Sequence, residues 1–364
     1  MFLDRTVFVI GAGASRELGL PVGDTLMDQI VASLAPDNGN FGFGTQRIVE
    51  ALTHKLLKEH GPNWFPHVAD YRNAAEKITR AMPFSRSIDT YLESQQDDQH
   101  VVHLGKLAIC HCILDAESQS HLSGGDRHQV RKREGLSQSW YAPLGRILTA
   151  GHRPSDITNL FENVSFVVFN YDRCLEVYLE RLVNDYFDVD GATATATLRS
   201  AEIVHAYGQV GKMAWQTEQD EQQDAVLFGG ISPFMDPDPN IDRLSEQIRT
   251  YTETTDSQTG MRIKRLMSEA DTVVFVGFGF INQNMKLIKP YRNAPVKRIF
   301  GTTFGFSRDD QKAISLKVLQ AFGHEDDFAR RNGGFDRTRT YEENLASVTC
   351  RQFMDNNVFS LADQ

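Results

Sequence analysis

The feature that most constrains the fold is a short apolar run that ends in a pair of glycines near the start of the sequence. Thr6 to Ile10 is apolar and rich in β-branched residues, and Gly11-Ala12-Gly13-Ala14-Ser15 follows it directly. A continuous apolar run of this length is typical of a parallel strand that is buried on both faces. The glycines permit a tight turn and let backbone N–H groups approach a diphosphate at the start of the next helix. The segment therefore predicts a parallel sheet with a nucleotide site beside its first strand.

The glycine turn departs from the G-x-G-x-x-G pattern of dehydrogenases. Arg16 stands where the third glycine would be. The region about 20 residues further on has a helical pattern, whereas a dehydrogenase would have a second strand ending in an acidic residue. A standard dehydrogenase is therefore disfavoured, and the alternative to a nucleotide site is a glycine turn that is only structural. The following Gly19-Leu20-Pro21 segment is either a loop that covers the cofactor or a surface turn.

Later segments of the same apolar character alternate with helical patterns, which is typical of an α/β protein. The further predicted strands are Ser165 to Phe169, Ala201 to Ala206, Ala225 to Phe228, Thr272 to Val276 and Val296 to Phe300. Between residues 45 and 150 the apolar residues follow helical spacing instead. The helices predicted there are Gln46 to His60, His67 to Ala81, Ser87 to Gln95 and His100 to Ser118.

The predicted fold class is α/β, with a Rossmann-like parallel sheet and a largely helical inserted subdomain. We expect the sheet domain to comprise residues 1–44 and 151–325, and the helical insertion to comprise 45–150. Residues 326–364 are polar and weakly patterned, and we expect them to pack on the sheet domain or on an oligomer partner.

Composition disfavours several classes of protein. The formal net charge of -10 argues against direct nucleic-acid binding. The local basic run Gly124 to Glu134 is interpreted as a solvated segment, with a phosphate or DNA contact as the alternative. No apolar stretch reaches the roughly 20 residues that span a bilayer, and Val7 to Ile10 is too short for a signal segment. We therefore expect a cytoplasmic protein without a membrane partner. Trp215 to Asp224 and Ser232 to Asn240 are predicted to be exposed loops.

The four cysteines form no C-x-x-C pair, so a structural zinc is not expected. Cys110-His111-Cys112 could chelate a metal, but adjacent residues of one helix point in different directions. We interpret these cysteines as small apolar side chains and predict no metal site.

Polar residues follow several of the predicted strands, at the sheet edge where ligands collect. Asn170 offers a donor and an acceptor, and Asp172 offers a carboxylate or a helix cap. His205 could take a proton from a ribose hydroxyl or a water, or could be a hydrogen-bonded structural residue. Asn282 and Asn284 could bond ribose hydroxyls or cap the next helix.

In this order the segments resemble the sirtuin superfamily, and more closely the bacterial sirtuin-like NADases of antiphage defence. The resemblance spans residues 7 to about 305. The matching segments are Gly11-Ala12-Gly13-Ala14-Ser15, Gly19-Leu20-Pro21, Ser87-Ile88-Asp89 with Tyr91-Leu92, Phe169-Asn170-Tyr171-Asp172, His205-Ala206-Tyr207-Gly208, and Gly277-Phe278-Gly279-Phe280 with Asn282.

The resemblance implies site residues. Asn170, which would position the ribose and the attacking water, and His205, the base, would be catalytic. The residues that would bind NAD are Gly11, Ala12, Gly13, Ser15, Pro21, Asp172, Tyr207, Gly277, Gly279 and Asn282. The family's usual His-Gly ending is Tyr207-Gly208 here, with the histidine two residues earlier. Because side chains two apart on a strand share a face, His205 could still serve, and Tyr207 is the substitute candidate.

The resemblance also implies an activity. The chain lacks the four-cysteine zinc module of deacylating sirtuins, which favours hydrolysis of NAD to nicotinamide and ADP-ribose through an oxocarbenium-like ribose and without zinc. Such an enzyme would deplete cellular NAD in antiphage defence and stay silent until triggered. Its relatives are often homo-oligomers, and some assemble with a HerA-type hexameric ATPase that translocates DNA. The alternatives are a non-catalytic module that binds NAD or ADP-ribose, and an NAD-dependent protein deacylase or ADP-ribosyltransferase.

Overall fold

The computed structural model describes residues 2, 4–37, 41–123, 135–218, 225–230, 241–255, 257–291, 296, 298–323 and 342–362. The basic run Gly124 to Glu134 and the predicted loop Ser232 to Asn240 lie outside these residues, as does 219–224 of the other predicted loop.

The protein is built around one six-stranded sheet in which every pairing is parallel. The strands are β1 (Thr6–Ile10), β2 (Val164–Val168), β3 (Glu202–His205), β4 (Thr272–Val276), β5 (Arg298–Thr302) and β6 (Glu342–Ala346). Their order across the sheet is β3-β2-β1-β4-β5-β6. The direction in which strands are added therefore reverses between β1 and β4. In open parallel sheets, such a reversal leaves a crevice at the carboxyl ends of the two strands.

Helices cover both faces of the sheet, as the α/β prediction requires. They are α1 (Ala12–Ser15), α2 (Gly23–Ser33), α3 (Gln46–His60), α4 (Val68–Ala81), α5 (Ile88–Ser94), α6 (Gln99–Gln119), α7 (Tyr141–Thr149), α8 (Cys174–Phe187), α9 (Gly191–Ser200), α10 (Ile241–Ser245), α11 (Tyr251–Thr255), α12 (Gln258–Glu269), α13 (Asn282–Leu287), α14 (Arg308–Ala321) and α15 (Cys350–Leu361). Within the described ranges, no helix combines the length and the apolar character needed to cross a membrane.

The apolar run of β1 contributes to two hydrophobic cores because its side chains alternate between the faces of the sheet. Val7 and Val9 join the core that the helices α3 to α6 also enter. Phe8 and Ile10 join the second core, together with residues of α7, α8 and α15. All five residues of β1 are buried, as expected for a central parallel strand. The α/β parallel-sheet prediction is thereby confirmed.

The predicted boundaries differ in accuracy from one strand to the next. Those of β1 and β4 are confirmed residue for residue, and β2, β3 and β5 are shifted by one or two residues. The predicted strand Ala225 to Phe228 is wrong, since only Ala225 forms a bridge, to Lys212. The carbonyls of Val226 and Leu227 accept hydrogen bonds from the buried guanidinium of Arg173 at 2.6 and 2.9 Å. A side chain therefore takes the acceptors that a neighbouring strand would use.

The weakly patterned C-terminal region contributes an edge strand and a helix. Strand β6 is partly exposed and has the sequence Glu-Glu-Asn-Leu-Ala, so it carries no apolar run that would predict it. Helix α15 begins at Cys350 behind an N-cap, Thr349, whose hydroxyl accepts the N–H of Gln352. This helix packs on α7 and brings its first turn to the carboxyl edge of the sheet.

Candidate functional site

The carboxyl ends of the central strands meet in one row because the strands pair in register. Ile10 is paired with Val276, and the N–H of Gly11 donates to the carbonyl of Val276 at 3.0 Å. On the other side, the N–H of Phe169 donates to the carbonyl of Ile10 at 2.8 Å. The turns after β1, β2 and β4 therefore begin side by side.

Three glycines are required where the turns after β1 and β4 cross. Gly277 has φ +59, and a Cβ there would lie 2.0 Å from the backbone nitrogen of Ala14. A Cβ on Gly11 would lie 2.6 Å from the carbonyl oxygen of Gly277, and one on Gly13 would lie 2.9 Å from the same oxygen. The two backbones thus approach too closely for any side chain. These glycines serve the packing of the turns, whatever ligand the turns also meet.

Gly279 differs from the other three glycines. It lines the cavity described below, and a Cβ placed on it would meet nothing within 4 Å. A glycine that no neighbour requires leaves room for something else, and here the room belongs to the cavity.

A cavity of about 600 Å³ lies between these two turns, where the strand order reverses. This volume is within the range of about 300–1,000 Å³ that is usual for sites of small molecules and cofactors. Backbone from Gly11 to Gly13 and from Gly277 to Gly279 forms one part of the wall. Phe304 and Phe306, which follow β5, and the first turn of α15 complete it. The cavity therefore combines apolar surface with backbone that carries no side chains.

Positive charge is present in the cavity wall. Arg16 and Arg86 both line it and are exposed. Val22 and Gly23, at the N-terminus of the 11-residue helix α2, line it as well. Arginine side chains bind phosphate oxygens with charge-assisted hydrogen bonds, and a helix N-terminus favours negative charge. The wall therefore suits an anionic group such as a diphosphate.

The polar residues after β2 are bonded to one another. Asn170 donates its side-chain amide to the hydroxyl of Ser15 at 2.9 Å, and that hydroxyl donates to Asp172 at 3.1 Å. Asp172 also accepts the N–H of Cys174, the first residue of α8, at 3.1 Å. Burial raises the pKa of Asp172, although its hydrogen bonds to Cys174 and Ser15 oppose the increase. Asp172 thus supports the start of α8 and does not line the cavity.

Asn170 is 6% exposed and follows Phe169, which lines the cavity. Among the described residues, its side-chain oxygen has no hydrogen-bond partner. A buried amide oxygen without a partner is costly, so this atom is suited to accept a hydrogen bond from a ligand hydroxyl or a water.

The ring of His205 makes hydrogen bonds at both nitrogens and does not line the cavity. Nδ1 lies 2.9 Å from the carbonyl oxygen of Asn170, and Nε2 lies 2.7 Å from the carboxylate of the fully buried Glu176. Burial alone would lower the pKa of His205, but Glu176 and the Asn170 carbonyl outweigh it, and the pKa is raised. The protonated ring is therefore favoured, which suits an ion pair better than a general base.

The expectation that His205 and Tyr207 share a face does not hold. Strand β3 ends at His205, so the alternation of a strand does not extend to Tyr207. Tyr207 lines the cavity, and its hydroxyl donates to the side-chain oxygen of Asn284 at 2.6 Å. Asn284 also lines the cavity, whereas Asn282 is exposed at the first residue of α13 and does not. Tyr207 therefore occupies the place that the sequence assigned to the histidine.

The predicted site residues thus fall into two groups. Those that line the cavity are Gly11, Ala12, Gly13, Tyr207, Gly277 and Gly279. Those that do not are Ser15, Pro21, Asn170, Asp172, His205 and Asn282. The chemical roles assigned to both groups stay predictions.

Sequence reasoning missed Asp89 as a site residue, although it quoted the surrounding segment for its family resemblance. Ser87 caps α5 by accepting the N–H of Thr90 at 3.2 Å, which places Asp89 in the first turn. Asp89 lines the cavity and accepts a hydrogen bond from the hydroxyl of Tyr171. Burial raises the pKa of Asp89 to about 6. The carboxyl therefore changes its charge near physiological pH.

The cysteines are buried free thiols, in agreement with their interpretation as small apolar residues. In the described part of the chain, no group of three or more His, Cys, Asp and Glu side chains is arranged to hold a metal ion. Cys350 lines the cavity, and burial raises the pKa of its thiol to about 12. It is therefore a neutral thiol near physiological pH.

Comparison of the sequence with models of known protein families gives no match, and neither does comparison with curated proteins. Function therefore has to be inferred from the cavity and the residues around it.

Proposed function

We propose that the protein binds NAD in the cavity between the β1 and β4 turns and hydrolyses its nicotinamide–ribose bond to give nicotinamide and ADP-ribose. The observation that carries the proposal is the position of the cavity, of about 600 Å³, where the strand order reverses and two glycine turns bring bare backbone to the wall. Dinucleotides bind at this place in other open parallel sheets.

The residues of the wall fit the parts of a dinucleotide. Arg16, Arg86 and the backbone of the Gly11 to Gly13 turn suit the diphosphate. The room beside Gly279 and the rings of Phe304 and Phe306 suit the flat, largely apolar faces of the bases. The amide of Asn284 and the hydroxyl of Tyr207 suit ribose hydroxyls.

Asn170 is the residue through which we expect the β2 end to act on the reaction. Its backbone carbonyl is held by His205 and its amide nitrogen by Ser15, which leaves the side-chain oxygen as the atom without a partner among the described residues. An oxygen fixed in this way can orient a ribose hydroxyl or a water without first losing conformational freedom. In this proposal His205 positions Asn170 and does not take the proton.

The position of His205 also favours a second candidate function. If the chain uses no base in place of this histidine, it would bind NAD or ADP-ribose without cleaving either and would regulate a partner. The engagement of both ring nitrogens within the protein is the observation that favours this candidate.

The test is the release of nicotinamide from NAD, without any peptide, measured by chromatography. The family resemblance implies a silent state, so the assay uses the purified chain alone and with the product of the neighbouring gene. Hydrolysis predicts equimolar nicotinamide and ADP-ribose. Asn170→Ala should reduce the rate about 100-fold, and Asn63→Ala, at an exposed residue of the turn Gly61–Asn63, should not change it.

Binding of NAD without nicotinamide release in either condition would contradict hydrolysis and support the binding module. Release only in the presence of an acylated peptide would support a deacylase. Antiphage defence, the cytoplasmic location, the homo-oligomer and the HerA-type partner remain proposals that follow from the resemblance.

A further inference from the structure

The proposed hydrolysis needs a group that accepts a proton, and the cavity offers few. The titratable side chains that line it, within the described residues, are Arg16, Glu17, Arg86, Asp89, Tyr207 and Cys350. The two arginines stay protonated and cannot accept a proton. The choice is therefore among four side chains.

Three of the four are unsuited. The carboxylate of Glu17 accepts the backbone N–H of Arg351 at 2.9 Å and that of Trp140 at 2.8 Å, so both of its oxygens are used by the fold. Burial raises the pKa of Tyr207 and that of Cys350, which keeps both groups protonated at neutral pH. Asp89 is the remaining group.

We propose that Asp89 is the general base of the cavity, in place of the histidine that the family resemblance suggests. This inference rests on the proposed function. It follows from the placement of Asp89 in the cavity wall, opposite a tyrosine, and from the enclosure of His205 between Glu176 and the Asn170 carbonyl.

Tyr171 connects Asp89 to the β2 end. Its hydroxyl donates to Oδ1 of Asp89, and it is the residue that follows Asn170. The segment that orients the water through Asn170 thus also holds the carboxylate of α5. Because Tyr171 holds Oδ1, Oδ2 is the oxygen that we expect to take the proton.

The proposed step balances as follows. The bond between the ribose C1′ and the nicotinamide nitrogen breaks, and its electron pair leaves with neutral nicotinamide. A water oxygen forms the new bond to C1′ and transfers one proton to Asp89, which releases it to solvent. A carboxylate whose pKa lies near the working pH is effective in such a transfer.

Few charged groups face Asp89. Tyr171 and Tyr207 come from the strand ends, and Arg16 and Arg86 line the same cavity. Helix α6 packs on α5 through Gly105 and Leu92, and Lys106 of α6 is paired with Glu253 of α11 at 3.0 Å. Helix α11 also brings Tyr251 near Tyr207. The rate of hydrolysis should therefore rise with pH through about 6, the pKa of Asp89.

The test compares Asp89→Asn with Glu93→Gln, the same chemical change one turn further along α5, where the side chain bonds to Thr252 and does not line the cavity. We expect Asp89→Asn to reduce kcat for nicotinamide release at least 100-fold, to leave the Kd for NAD within threefold, and to abolish the rise of kcat with pH. Glu93→Gln should resemble the wild type. Circular dichroism and the retained Kd establish that the variant is folded.

Tyr171→Phe provides a second readout that a merely structural role would not produce. Loss of a donor to the carboxylate raises the pKa of that carboxylate. We therefore expect the rise of kcat to move to higher pH, with activity recovered above it. If wild type cleaves NAD and Asp89→Asn keeps both its rate and the rise with pH, the role of Asp89 is wrong and the proposed function stands. If the wild type binds NAD but releases no nicotinamide, alone or with the neighbouring gene product, both are wrong.

Discussion

The two halves of the carboxyl edge of the sheet begin from similar apolar strands and end in opposite ways. Between β1 and β4 the chain continues through glycines, and a cavity of about 600 Å³ opens beside them. At β2 and β3 it continues through polar residues, and Asn170, Asp172 and His205 are enclosed in hydrogen bonds with their neighbours. A polar residue at the end of a parallel strand therefore does not by itself mark the surface that meets a ligand.

The comparison separates two kinds of variant. Changes on the enclosed side should lower the free energy of unfolding, whereas changes on the open side should lower affinity for NAD with little effect on folding. The glycines at the crossing of the two turns belong to the enclosed kind, although they lie beside the cavity.

The largest effect is expected at the ion pair behind the β2 end. Arg173 and Glu117 are both completely buried, with 2.6 Å between their charged atoms, and Glu117 also accepts the N–H of Gly229. Glu117→Gln leaves a buried guanidinium without its counter-charge, so the free energy of unfolding should fall by about 3–5 kcal/mol. The measurement is urea denaturation.

The matched control is Glu218→Gln, whose partner Arg199 lies 3.5 Å away and whose side chain is 72% exposed. It should cost less than about 1 kcal/mol. Equal effects of the two variants would show that the enclosed side is no more tightly held than the surface.

The second effect sharpens the distinction between two glycines only two residues apart. Gly277→Ala places a Cβ 2.0 Å from the backbone of Ala14 at a residue with φ +59, so it should cost at least about 2 kcal/mol of unfolding free energy. Gly279→Ala meets nothing within 4 Å and should change stability by less than about 0.5 kcal/mol. Thermal denaturation of both variants checks the contrast, and similar melting temperatures would contradict it.

The third effect concerns affinity on the open side. Arg16→Ala and Arg86→Ala should each raise the Kd for NAD about tenfold, the equivalent of about 1.4 kcal/mol, because each removes a cation from the wall that is proposed to hold the diphosphate. Calorimetric titration at two salt concentrations measures the change, which should shrink as salt screens the charges.

Arg265→Ala is the control for this pair. Arg265 is an exposed arginine that contacts Glu202 at 3.2 Å near the opposite edge of the sheet. Its loss should leave the Kd unchanged. A Kd that responds equally to all three variants would indicate non-specific attraction.

The smallest effect is a pH dependence of stability at His205. Its pKa is raised in the folded protein, so its ion pair with Glu176 stabilises the fold fully below the unfolded pKa of about 6.5 and less as pH rises through the folded pKa. Glu176→Gln should therefore cost on the order of 1–2 kcal/mol at pH 5.5. The cost should be smaller at pH 8.5, and a cost that grows with pH would contradict the assignment.

Much of the sheet could be predicted from the sequence because burial on both faces leaves a continuous apolar run. The bounds of β1, β4 and α3 follow from such local patterns. Strand β6 could not be predicted, since a polar edge strand pairs through its backbone and has no apolar pattern.

The site could be predicted only in part. The glycine turns have local sequence signals, but Asp89 reaches the cavity because α5 docks there, and Cys350 because α15 does. Helix docking depends on contacts between distant segments, which periodicity does not specify. The orientation of His205 likewise depends on Glu176, a residue of another helix.

The most direct measurement is a crystal structure with ADP-ribose, the product of the proposed reaction. We expect its diphosphate to lie against the backbone of Gly11 to Gly13, with Arg16 or Arg86 within hydrogen-bond distance and with Asp89 near the ribose that carried nicotinamide. Binding in the other cavity, of about 450 Å³, which Arg5 and Arg265 line at the opposite edge of the sheet, would contradict the account. So would the absence of any bound nucleotide at a saturating concentration.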